Sequence, residues 1–218
     1  MTIVALAPMD LAALLCSRVC HDVISPVGAI VNGLEVLEDE KDPEMREVAI
    51  DLIKRSAASA SARLQFCRLA FGAAGSIGAS VDTGDAESVT RGLIANDRTT
   101  LVWNPPRQFA AKNKVKLLLN LNLIALSAIP RGGVVTVDVT GQDETLAIRV
   151  EAKGPNARLA HGVADLVAGR PEGGAVDAHS IQPFFAGLVA RDCGMEVAIV
   201  AAPETVTLEA RPAIAVAA

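Results

Sequence analysis

The chain has 218 residues and a net charge of −5; 51% of its residues are apolar, only 3% are aromatic, and tyrosine is absent. The length suits two small domains, packed mainly by alanine, valine and leucine. The acidic balance argues against a nucleic-acid or anionic-membrane surface, both of which call for basic patches.

The opening Met1-Thr2-Ile3-Val4-Ala5-Leu6-Ala7-Pro8 carries no basic leader, and no apolar run of about 18 residues follows. A soluble, cytoplasmic protein is therefore expected. A first helix is marked by Val23, Val27, Ile30, Leu34 and Leu37, whose alternating steps of four and three form a heptad seam that extends back through Cys20, Cys16 and Ala13. It carries the stretch Cys20-His21-Asp22-Val23-Ile24-Ser25-Pro26-Val27-Gly28-Ala29-Ile30. His21 falls off the seam, roughly 200° around the helix from Val23. Its face reads Ser17, His21, Ser25, Gly28, Asn32, Glu35, small and polar enough for another protein to approach the ring. Imidazole titrates near neutral pH and carries a nucleophilic nitrogen, so His21 is a candidate for proton or phosphoryl chemistry. Gly28 and Gly33 suit either such an approach or close helix packing. Pro26 has no N–H for the carbonyl of Asp22, which predicts a kink or loosened turn below the histidine.

A second helix is expected from Glu44 to Leu69, started by Asp42-Pro43. The charged connection between the two is short, so they should fold back as a hairpin. Two helices cannot close a core alone. Pairing with a second copy into a four-helix bundle, and hence a homodimer, is expected. Cys16, Cys20, Cys67 and Cys193 contain no C-x-x-C pair and are expected as reduced, buried thiols. Cys16 and Cys20, one turn apart and next to His21, have no fourth ligand nearby, so no metal site is expected.

Gly72 to Ser80 is glycine-rich and reads as a linker between a helical domain, residues 1–74, and a second domain, residues 81–218. In the second, Ala86 to Ala95, Lys112 to Ala128, Arg158 to Ala168 and Ile181 to Asp192 read as helices. Thr99 to Trp103, Val134 to Val139 and Leu146 to Ala152 read as strands, and Glu196 to Ala201 with Thr205 to Ala210 as a final hairpin. The order implies an α+β sandwich, a mixed sheet with helices on one face. Arg170-Pro171-Glu172-Gly173-Gly174 lacks a phosphate-loop signature and reads as a flexible turn. His161 and His179 match no motif and read as structural or exposed.

His21, Asp22, Ser25, Pro26, Val27 and Ile30 are similar, position by position, to the phosphoacceptor box of sensor histidine kinases. The second half resembles the kinase ATP-binding domain, the Bergerat fold, in its scaffold but not in its chemistry. Asn120 takes the first position of the asparagine box, and Pro130-Arg131-Gly132-Gly133 follows it. Ile124 then stands where magnesium needs an oxygen ligand, which a hydrocarbon cannot supply. Ala152 replaces the adenine-binding aspartate and Asn156 a glycine of the same box. Ser180-Ile181-Gln182-Pro183-Phe184-Phe185 stands in place of the glycine-rich lid.

A kinase-like hairpin joined to an ATP domain without ATP chemistry resembles the ChpT-like histidine phosphotransferase family of alphaproteobacterial phosphorelays. The resemblance implies a phosphotransferase that shuttles a phosphoryl group between receiver aspartates through His21, without ATP-dependent autokinase activity. It implies partners like the receiver of the CckA hybrid kinase and those of the CtrA and CpdR regulators, with magnesium supplied by the receiver and no cofactor bound by this chain. Asp22 would fix the imidazole tautomer or accept its proton, with Ser25 as a neighbour. Pro26, Gly28, Ala29, Asn32 and Glu35 would form the receiver-docking face. A divergent kinase and a non-catalytic scaffold are the alternatives.

Overall fold

A computed structural model describes residues 3–72, 80–94 and 98–213. The glycine-rich stretch 73–79 lies outside the described residues.

Two long helices open the fold, α1 (Pro8–Asp39) and α2 (Pro43–Ala70). Each begins with a proline, where the missing N–H would have no helical partner anyway. Asp42 caps α2, its Oδ1 accepting from Glu44 N at 3.1 Å. Arg46 donates to the Leu37 and Glu40 carbonyls at 2.7 and 2.8 Å, tying the C-terminal end of α1 and its cap residue to the start of α2. α1 runs helical through Pro26. The hairpin closes tightly at Gly33, where an added Cβ would lie 2.7 Å from Ile53 Cγ1. Ala49, Ser56 and Ala60 are buried small residues of α2.

The remainder is a mixed five-stranded sheet built from β2 (Thr99–Trp103), β4 (Gly133–Thr140), β5 (Ala147–Lys153), β6 (Met195–Ala202) and β7 (Thr205–Pro212). Their order is β2-β4-β5-β7-β6, with β2 parallel to β4 and every other pairing antiparallel. Alternate residues Val135, Val137, Val139, Ile148, Val150, Ala152, Val206 and Leu208 point into the core. The opposite face is polar: Arg149 pairs with Glu151, Glu209 and Asp138. Helices α3 (Thr83–Ile94), α4 (Lys112–Ala128) and α6 (Ile181–Asp192) belong to the covered side.

Three features depart from the sequence reading. A small antiparallel pair, β1 (Ser80–Asp82) with β3 (Phe109–Ala111), is too short to show alternation. The expected helix Arg158 to Ala168 shrinks to α5 (Val163–Val167). Arg158 N is engaged by the Ala128 carbonyl at 3.0 Å, and Gly162 is left-handed at φ 77°, so the helix starts only after it. Cys16 and Cys20 are exposed in the protomer, whereas Cys67 is buried and Cys193 half-buried.

The hairpin and the sheet layer share one hydrophobic interior. Phe66 and Ala70 at the end of α2 belong to the main core. Leu11, Leu14 and Leu15 at the start of α1 pack with Val4 and Leu6 against Leu166, Ile181 and Phe184. By length and composition α1 is apolar enough to cross a bilayer, but its first turns are seated on α6 and α5 and its middle on α2. This anchoring of its first turns and middle sets where His21 stands relative to the second domain.

Candidate functional site

His21 lies beyond the part of α1 clamped by α6, and 62% of its side chain is exposed. Its Nδ1 faces Asp22 Oδ1 at 3.5 Å. The other oxygen of Asp22 accepts from Arg18 Nε at 3.0 Å, one helical turn back. Asp22 and Arg18 are only 16% and 25% exposed, so the pair forms a half-buried support behind an open ring. With Nδ1 turned to the carboxylate, Nε2 is the ring nitrogen directed away from it.

A second imidazole completes the surroundings. The His179 ring stands edge-on to that of His21, with centroids 5.5 Å apart and planes at 81°. His179 lies in the turn just before α6. Asp177 Oδ1 organises that turn, accepting from His179 N at 3.0 Å, Ser180 N at 2.8 Å and Ser180 Oγ at 2.6 Å. These bonds, led by the Ser180 hydroxyl, hold the Asp177 carboxyl below the usual carboxylate range. Sequence reasoning left His179 without a role, and Arg18 went unnoticed although its spacing of four from Asp22 is a helix-pair signal. His161 is exposed and faces Glu172 at 3.7 Å.

The residues expected to dock a receiver continue down the same helix. Ser25, Asn32 and Glu35 are exposed, and Pro26, Gly28 and Ala29 are half-buried. The two glycines separate clearly. A Cβ on Gly28 would meet nothing within 4 Å, whereas Gly33 is closed by Ile53 and the Ala49 carbonyl. Behind Arg18 and Asp22 a cleft of about 550 Å³ opens between the hairpin and α4, with Arg63, Arg98, Cys67 and Ser127 among its walls. Burial pushes the Cys67 thiol up to about 11, and the Asp22 charge adds to the shift.

The positions that resemble nucleotide boxes are engaged elsewhere. Asn120 is fully buried; its amide donates to the Ala70 carbonyl at 3.1 Å and the Lys116 carbonyl at 2.9 Å. Gln182 of α6 donates to Asn120 O at 3.0 Å and Oδ1 at 3.1 Å. Ile124 and Ala152 are core residues. Among the described residues no group of three or more His, Cys, Asp or Glu is placed to hold a metal ion.

Residues 83–205 match the family model described as the histidine phosphotransferase C-terminal domain. The protein phosphotransferase ChpT of Brucella abortus (strain 2308) is 47% identical over 207 residues, 95% of this chain and 98% of that protein. A solved bacterial phosphotransferase is 44% identical and superimposes with a TM-score of 0.88, over 96% of this chain and all of that one.

Proposed function

This chain belongs to the histidine phosphotransferase family and works in a phosphorelay with receiver domains, and on that premise we propose that His21 is its phosphoacceptor. The observation that carries the reading is an exposed imidazole on a helix, backed through Nδ1 by a carboxylate that is itself held by Arg18. The Nε2 lone pair attacks the phosphorus of a receiver's aspartyl phosphate. An N–P bond forms as the acyl P–O bond breaks, and the receiver carboxylate leaves. Nδ1 keeps its proton toward Asp22, which stabilises the charge the ring gains. Reversal of the same step loads a second receiver. The protein contributes position and charge, as phosphoryl transfer demands.

Magnesium is proposed to come with the receiver, and this chain is proposed to use no ATP of its own. The burial of Asn120 under Gln182 supports that, together with hydrocarbon at Ile124 and Ala152. Gly28, Ala29, Asn32 and Glu35 line the approach of the receiver together with Pro26, and Ser25 stands one helical turn from the ring. The upstream receiver is proposed to be CckA-like, the downstream ones CtrA-like and CpdR-like, and the place of action the cytoplasm. The chain is proposed to act as a homodimer through the apolar side of its hairpin.

A radiolabelled, phosphorylated receiver incubated with the protein tests the assignment. Wild type acquires acid-labile label, His21→Ala acquires none while keeping its circular dichroism, and labelled ATP with magnesium marks neither. Label on His21→Ala would reject His21, and self-labelling from ATP would reject the loss of kinase activity.

A further inference from the structure

The edge-on contact between two imidazoles from opposite ends of the chain gives the second domain a part in the reaction. We infer that His179 is a positioning residue for phosphoryl transfer, its ring fixing the orientation of the His21 ring; this rests on His21 being the phosphoacceptor.

His21 is largely solvent-exposed, and its 3.5 Å approach to Asp22 is too long to lock the ring alone. An imidazole on an open helix face samples several rotamers, and each wrong one withdraws Nε2 from the line of attack. The perpendicular His179 ring, 5.5 Å away, occupies the adjoining space in the edge-to-face geometry that aromatic rings favour. His179 is itself held. Its backbone N–H donates to Asp177 Oδ1, which fixes the turn that carries the exposed ring, and two residues later Ile181 is fully buried against the start of α1. α6 therefore seats the first turns of α1, and the turn that leads into it brings an imidazole against His21.

Single-turnover transfer from a phosphorylated receiver, measured by quenched flow on the full-length protein, tests this with His179→Ala and His179→Phe. His179→Ala should transfer about five- to tenfold more slowly at saturating receiver, with receiver affinity and melting temperature unchanged. His179→Phe keeps an aromatic edge without a titrating nitrogen and should restore most of the rate. The His21 ring protons, read by NMR in isotope-labelled protein, should lose a ring-current shift in the alanine variant and keep one in the phenylalanine variant. A wild-type rate in His179→Ala, an unmoved His21 resonance, or a phenylalanine variant as slow as alanine would each overturn the inference. If His21→Ala still accepts phosphoryl, the parent assignment fails instead; a dead His21→Ala beside a full-rate His179→Ala sinks the positioning role alone.

Discussion

Asp177 accepts three hydrogen bonds at a single oxygen, two of them from Ser180, and these keep its carboxyl ionised below the pH at which a free aspartate would protonate. A folded-state value depressed below the unfolded one, about 3.9, gives stability that is fully present above that value. It is lost as pH falls through the lower folded value. Asp177→Ala should therefore lower the melting temperature by a constant margin from neutrality to about pH 5, and the margin should shrink below about pH 4. Paired calorimetric scans across that range check the sign, and a margin that widens on acidification refutes it. The neighbourhood of His21 and Asp22 was legible because adjacent positions of one helix carry both. His179 was not, because only the docking of α6 on α1 brings it to His21, and no local pattern encodes that contact. Its one trace was Asp177-Ala178-His179-Ser180, a polar turn standing before an apolar helix.

Within the hairpin, two glycines five residues apart do opposite things. Gly33 admits α2, since a Cβ there would collide with Ile53; Gly28 faces open space on the histidine's side of α1. Gly28→Ala should stabilise the protein by roughly 0.5–1 kcal/mol, because alanine is the better helix former and meets no neighbour. Gly33→Val should destabilise it by about 1–3 kcal/mol through overpacking of the helix seam. Urea unfolding midpoints rank the two variants on either side of wild type, and the reverse ranking would assign the packing role to Gly28. Elements with strong periodicity were readable from sequence: α4, α6 and β2 span the residues expected of them. The stretch Arg158 to Ala168 misled because its composition is helical while its backbone is claimed by tertiary bonds. Ala128 takes the Arg158 N–H, and Gly162 turns left-handed. β1 and β3 are three residues each, below the length at which alternation carries information.

Across the whole molecule the apolar surface of the hairpin is unevenly partnered. The seam splits into two heptad positions. Val23, Ile30 and Leu37 are half-buried toward the protomer's own packing, whereas Cys20, Val27 and Leu34 are exposed. Ile24 and Val31 extend that exposed stripe, and α2 adds Met45, Val48 and Leu52. At the anchored ends Leu11, Leu14 and Leu15 have α6 and Phe66 has the core. An apolar heptad stripe left in water is the pattern that a second hairpin covers with knobs-into-holes packing. His21 sits one residue off the stripe, so a partner helix can cover the apolar side while the ring remains open. Val27→Glu with Leu34→Glu places two carboxylates where the copies would meet, and burying unpaired charge is costly enough to dissociate them. Wild type at micromolar concentration should sediment at twice the 22.6 kDa chain mass, and the double variant at the chain mass with unchanged helix content. A wild type that sediments as a single chain would remove the second copy and leave the stripe unexplained by self-association.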